Sequence, residues 1–225
     1  SSASEKIASL CRNGFDLSLV DQLGIESKGF QTMPELNSCL EAPGMLWALR
    51  ETGRRFGYTN FTMNACNEYV FRPERTVRKG CTYNQRMDVT DFYLRDYLIS
   101  LAHGVRCIST AHLEDSKTDY YDTNWGAGCM CKCFPYSYPK RCFVGIATLT
   151  KVLDCVERYP RRVPTGEVAT YALEWARNRR TKDFAMAVWT PRYGAKLRMR
   201  WPKGTKLVHV GSFGHETPLD ADADG

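Results

Sequence analysis

Ten cysteines constrain this chain more than any other feature: Cys11, Cys39, Cys66, Cys81, Cys107, Cys129, Cys131, Cys133, Cys142 and Cys155. An even number of thiols, spread from near the start to past the middle of 225 residues, reads as a disulfide framework formed in an oxidising compartment. Ten cysteines make five bridges, so the expected body is helix-rich and stapled. The densest spot is Cys129-x-Cys131-x-Cys133. Alternate residues of an extended chain face opposite sides, so these three are expected to reach different distant partners. That would knot residues 113–142 into a disulfide-rich loop. A metal–thiolate cluster is the rival reading, but the paired C-x-x-C spacing of such sites is missing. No cysteine follows Cys155, so the remaining residues must hold by packing.

The compartment implied is secreted or lumenal. Asn60-Phe61-Thr62 has the pattern of an N-glycosylation acceptor, so a glycoprotein is expected. Ser1-Ser2-Ala3 opens without a basic-then-apolar leader, and a signal peptide is expected to have been removed already. No apolar run approaches the roughly 18 residues of a membrane-spanning helix. With 43% hydrophobic and 25% charged residues, the composition excludes a disordered chain. The length suits one compact domain over residues 1–225.

Periodicity places helices at residues 4–12, 43–56, 91–103, 144–158 and 167–179, with a short turn or helix at 17–23. Extended pieces are expected at 58–63 and 69–72, joined by 64–68, and strands at 105–109 and 184–189. Residues 195–201 and 206–213 flank Pro202-Lys203-Gly204-Thr205 and read as a C-terminal β-hairpin over about 195–213. Helices dominate the body and strands the end, which predicts an α+β fold with a small antiparallel sheet.

Three arrangements could carry chemistry. His112, Asp119 and His209 have the residue types of an open catalytic zinc site, with a fourth position left for water, so zinc is a possible cofactor. Alternatively, two carboxylates could cleave a glycoside, one protonated and one ionised. Glu114 and Asp119 are the catalytic candidates, with Glu26, Glu41 and Glu174 as further acids near aromatic residues. Tyr120, Tyr121 and Trp125 lie in the same loop and could stack on the apolar faces of sugars. Thirdly, Lys196, Arg198 and Arg200 alternate along the expected hairpin and could bind an anionic polymer. For a secreted chain that polymer would be a sulfated or uronic glycan rather than nucleic acid.

The net charge of +6 (31 Lys+Arg less 25 Asp+Glu) is compatible with acidic partners. Phosphate-cradling glycine loops, the G-x-S-x-G elbow and the H-E-x-x-H zinc helix are all missing from the sequence. The expectation is therefore a secreted hydrolase acting on an extracellular glycan or peptide polymer. The alternative is a non-catalytic extracellular module that binds an anionic glycan or a protein partner.

Overall fold

Alternating helices and strands open the chain, and that alternation determines how the first sheet is built. The computed structural model describes residues 3–29, 35, 45–58, 63–69, 89–110, 130–132, 138–157, 159–167, 169–178, 180, 183–191 and 197–219. Helix α1 (Ala3–Arg12) leads through a short 3-10 turn at Leu17–Leu19 into strand β1 (Leu23–Gly29). Helix α2 (Met45–Arg55), strand β2 (Met63–Tyr69), helix α3 (Val89–Ala102) and strand β3 (Val105–Thr110) follow. Parallel strands need long crossovers, and α2 and α3 lie in those crossovers. The result is a three-stranded parallel sheet in the order β1-β2-β3, with β2 in the centre.

Leu17, Leu23, Leu46, Leu49, Tyr58 and Val105 form one buried cluster, which packs α1 and α2 onto the sheet. The Tyr58 hydroxyl donates to the Asp21 carbonyl at 2.8 Å and fastens the end of α2 to the entry of β1.

Beyond β3, the two-residue strands β4 (Cys131–Lys132) and β5 (Tyr138–Pro139) pair antiparallel ahead of helix α4 (Arg141–Val152). An antiparallel sheet follows, made of β6 (Arg161–Arg162), β7 (Tyr171–Asn178) and β8 (Asp183–Trp189). Leu173 and Trp175 of β7 are buried with Leu98 of α3, and Leu149 of α4 packs on the same cluster. Arg177 donates to the Val152 carbonyl in the last turn of α4. Finally β9 (Leu207–Val210) and β10 (Glu216–Leu219) form a hairpin. It sits on α4, where Arg141 lies 4.4 Å above the Phe213 ring.

Helices and small antiparallel sheets coexist as expected, but several expectations are corrected. Residues 64–68, expected as a connection, are the middle of β2. The parallel sheet itself was not anticipated. Residues 167–179 were expected as a helix, yet 171–178 are a strand, because every residue from Tyr171 to Ala176 has a pairing partner on β8. Helix α4 stops at Val152 rather than 158.

The C-terminal hairpin joins 207–210 to 216–219, not 195–201 to 206–213. Thr205 N–H does bond the Pro202 carbonyl at 3.1 Å, so the predicted turn exists. Trp201, however, stacks on Phe184 of β8 at 5.0 Å and 9°, and β9 pairs with β10.

The disulfide-stapled body is also not what the described thiols show. Cys11, Cys107, Cys131 and Cys155 are free, and the buried Cys142 thiol donates to the Met130 carbonyl at 3.9 Å. Cys11 packs against one apolar cluster and Cys142 lies within another, as small hydrophobes do. Cys39, Cys81, Cys129 and Cys133 lie outside the described residues, as does most of the loop expected at 113–142.

Candidate active site

The parallel sheet changes character along its length. At the amino ends, Leu23 stands opposite Met63 and Met63 opposite Val105. Two positions on, Ile25, Ala65 and Ile108 form a second apolar row. Towards the carboxyl ends the rows turn polar: Glu26–Cys66–Ser109, then Ser27–Asn67–Thr110, then Lys28 opposite Glu68. In sheets built from βα units, ligands and catalytic groups gather at the carboxyl ends of the strands. The row between the two apolar ones, Gly24–Asn64–Cys107, includes a polar residue, but the charged residues of β1 and β2, Glu26, Lys28 and Glu68, all fall in the carboxyl half. Glu68 is the carboxylate at that edge on the central strand.

The sequence reading missed Glu68 because it placed the residue in a connection. A usable signal was present all the same. Two helices with extended segments between and after them form a βαβ pattern, which makes the end of each strand a candidate position.

Three segments leave this edge, after Gly29, Tyr69 and Thr110. The third carries His112, Glu114, Asp119, Tyr120, Tyr121 and Trp125, which follow directly on β3 in the chain. These six lie outside the described residues, as do Glu41 and Lys196. Their order in the sequence puts them after the carboxyl end of an edge strand of the sheet; their geometry is not described.

The remaining predicted residues are placed individually. His209 is exposed on the β9–β10 hairpin, opposite Thr217, and belongs to a different sheet from β3. Among the described residues no group of three His, Cys, Asp or Glu side chains is arranged to hold a metal. The zinc triad itself includes two residues outside that set. Glu174 is engaged elsewhere, since Arg161 donates to both of its carboxylate oxygens at 3.0 Å. Glu26 stands opposite Cys66, two positions before Lys28 on β1. Arg198 and Arg200 are exposed, separated by the half-buried Met199.

A buried polar cluster ties the first of the three segments to the second half of the chain. Glu35, six positions beyond Gly29, lies 3.3 Å from the Arg95 guanidinium of α3. It also accepts the Trp189 indole N–H of β8 at 3.0 Å. Glu35 is 5% exposed and Arg95 6%, so both charges have left water. Arg95 gains a further partner in the Phe92 ring, 5.0 Å from its guanidinium carbon. A carboxylate held by a guanidinium and an indole in this way is a structural clamp. It holds Glu35 against α3 and β8.

No protein-family model and no curated protein matches this chain. A solved structure does: a family 39 glycoside hydrolase from the gut symbiont Bacteroides cellulosilyticus WH2. The two are alike with a TM-score of 0.64 at 11% identity, over 100% of this chain and 46% of that one. The chain therefore spans about half the length of that hydrolase. Such a likeness establishes shared architecture, consistent with a parallel βα unit followed by antiparallel strands.

Proposed function

We propose that this chain is a glycan-acting hydrolase that works through paired carboxylates at the carboxyl edge of the parallel sheet. Glu68, on the central strand, is one of the pair. The second comes from the segment that follows β3, where Glu114 and Asp119 are the candidates. The observation that carries this reading is the register, with polar rows Ser27–Asn67–Thr110 and Lys28–Glu68 at the ends where such folds keep their chemistry. The architecture shared with a glycoside hydrolase supports the choice of substrate class.

In the proposed mechanism one carboxylic acid protonates the glycosidic oxygen as the bond to the anomeric carbon breaks. The other, ionised, either attacks that carbon or takes a proton from the water that does so. Tyr120, Tyr121 and Trp125 supply faces on which sugar rings stack. The carboxylate form is preferred to the His112/Asp119/His209 zinc form because the shared architecture is that of a glycoside hydrolase, which supports a carboxylate pair. The substrate is an extracellular polysaccharide, and the Asn60-Phe61-Thr62 acceptor supports a secreted setting.

The test is hydrolysis of a polysaccharide panel by the purified chain and by Glu68→Gln. Loss of a general acid or base costs about 10²–10⁴-fold, so the variant should lose at least a hundredfold in kcat/KM while folding normally. Chelators should leave the activity unchanged. Full activity in Glu68→Gln, or no turnover of any glycan by the parent, overturns the proposal.

A further inference from the structure

The net charge of the chain is unevenly distributed. Residues 184–215 contain no Asp or Glu but carry Arg192, Lys196, Arg198, Arg200, Lys203 and Lys206. These six account for the whole net charge of +6, because the rest of the chain has 31 − 6 = 25 basic residues against 25 acidic ones. Four of the six, Arg198, Arg200, Lys203 and Lys206, are described, and all four are exposed.

The segment that carries them is held in place. Leu197, Met199 and Trp201 are half-buried where Arg198 and Arg200 are exposed, so the two guanidinium groups leave from the same side of the chain. In an extended chain such side chains stand about 6.6 Å apart. The Trp201 ring lies on Phe184, which anchors the segment to β8. Lys203 and Lys206 then sit in and just after a turn closed by two bonds to the Pro202 carbonyl, from Thr205 N–H at 3.1 Å and from its hydroxyl at 2.6 Å. Cations on a segment fixed in this way lose less entropy on binding than cations on a free tail.

We infer that residues 198–206 form a binding strip for an acidic polysaccharide, a chain of sugars bearing repeated carboxylates or sulfates. Charge complementarity carries this assignment, since repeated anions match a row of cations with no acid between them. Single-stranded nucleic acid is disfavoured because such sites present aromatic faces to the bases. Among residues 197–206 the one aromatic ring is already stacked on Phe184. The choice of a polysaccharide over other polyanions rests on the proposed glycan-hydrolase reading; the strip itself does not.

The experiment measures binding of the full chain to polygalacturonate, to heparin and to a short DNA duplex across a salt series. Arg198→Ser/Arg200→Ser is compared with Arg54→Ser/Arg55→Ser, which removes equal charge from α2. The strip variant should lose about tenfold or more in affinity for the acidic glycans at about 0.1 M salt, where surface charges still interact. The control should stay within about threefold of the parent, and the parent's affinity should fall steeply as salt rises. Heparin bears sulfates as well as carboxylates, so tighter binding to it than to polygalacturonate shows that sulfate adds to the affinity. Equal losses in both variants mean that net charge alone is at work, and tighter binding to duplex DNA makes the partner a nucleic acid; either result overturns the inference.

Hydrolysis of a short neutral oligosaccharide separates the two proposals. It should survive Arg198→Ser/Arg200→Ser and be lost in Glu68→Gln, whereas polymer binding should show the reverse pattern. Binding without turnover in the parent would leave the strip standing and remove the hydrolase reading.

Discussion

Trp189 donates its indole N–H to Glu35 at 3.0 Å, joining residues 154 positions apart. Arg95 lies 3.3 Å from the same carboxylate oxygen, so one acceptor holds β8, α3 and the segment after β1 together. Glu35→Gln leaves the Arg95 charge buried without its counter-charge, a change that costs about 3–5 kcal/mol. Trp189→Phe removes one donor and costs about 1–3 kcal/mol. Because both act on one oxygen, the double variant should lose less than the sum of the two. Urea denaturation of the three variants checks this. A Glu35→Gln midpoint equal to the parent's would show that the clamp contributes nothing.

Gly145 on α4 sits where three elements converge. A methyl group there would lie 2.5 Å from Thr90 Cγ2 of α3 and 3.5 Å from the Ser212 carbonyl oxygen. Alanine in a helix interior gains about 1 kcal/mol over glycine, whereas overpacking a core costs about 1–3 kcal/mol. Thr90 is fully buried and β-branched, so it has little freedom to turn aside. The overpacking cost should win, and Gly145→Ala should lower the melting temperature. Thr90→Ser removes the obstructing methyl, so adding it to Gly145→Ala should restore much of the loss. If Gly145→Ala melts above the parent, the close approach is not a constraint.

Parts of this fold were legible in the sequence and others were not, for physical reasons. Helices α1, α2 and α3 announced themselves through apolar stripes, and strand β3 through a short run after Gly104, whose φ of +82° ends α3; of that run Val105 is buried while Arg106, Cys107 and Ser109 are exposed. Strand β1 was not legible because Leu23-Gly24-Ile25-Glu26-Ser27-Lys28-Gly29 has two glycines and no sustained alternation. Its parallel pairing with β2 decides the matter, and no local signal reports pairing. The same holds for β7, whose Tyr-Ala-Leu-Glu-Trp-Ala run suits a helix until β8 pairs with it. His112 and the acids after it were proposed from residue type, and they lie outside the described residues. The βαβ pattern points to the ends of the strands, but only the register puts Glu68 at the end of the central one.

The described thiols make a direct prediction for three of the ten cysteines. Cys107 and Cys155 are exposed, while Cys142 is 2% exposed within an apolar cluster. A maleimide added to the native chain should label Cys107 and Cys155 quickly and reach Cys142 only after denaturation. Prior treatment with a reductant should not increase labelling at any of these three. Peptide mass mapping reads out each position. If labelling of Cys107 or Cys155 requires reduction, that thiol is bridged and the disulfide framework returns.

Asp16 accepts hydrogen bonds from the Ser18 N–H, at 2.8 Å, and from its hydroxyl, and these hold its pKa below the ordinary 3.8. It caps the 3-10 turn at Leu17–Leu19, which delivers the buried Leu17 into the core beneath α1 and α2. A carboxylate with a lowered folded-state pKa adds stability that is fully present above its unfolded value. That stability fades as pH falls through the lower folded value, where the group becomes protonated and ceases to be a charged acceptor. Asp16→Ala should therefore be less stable than the parent near neutral pH, and the gap should narrow as the acid limb is crossed. Paired urea titrations at about pH 7 and about pH 3 measure it, with a two-dimensional NMR titration of the Asp16 carboxyl giving the shift directly. A gap that stays constant from neutral to acid pH would mean that the charge of Asp16 plays no part in holding the turn.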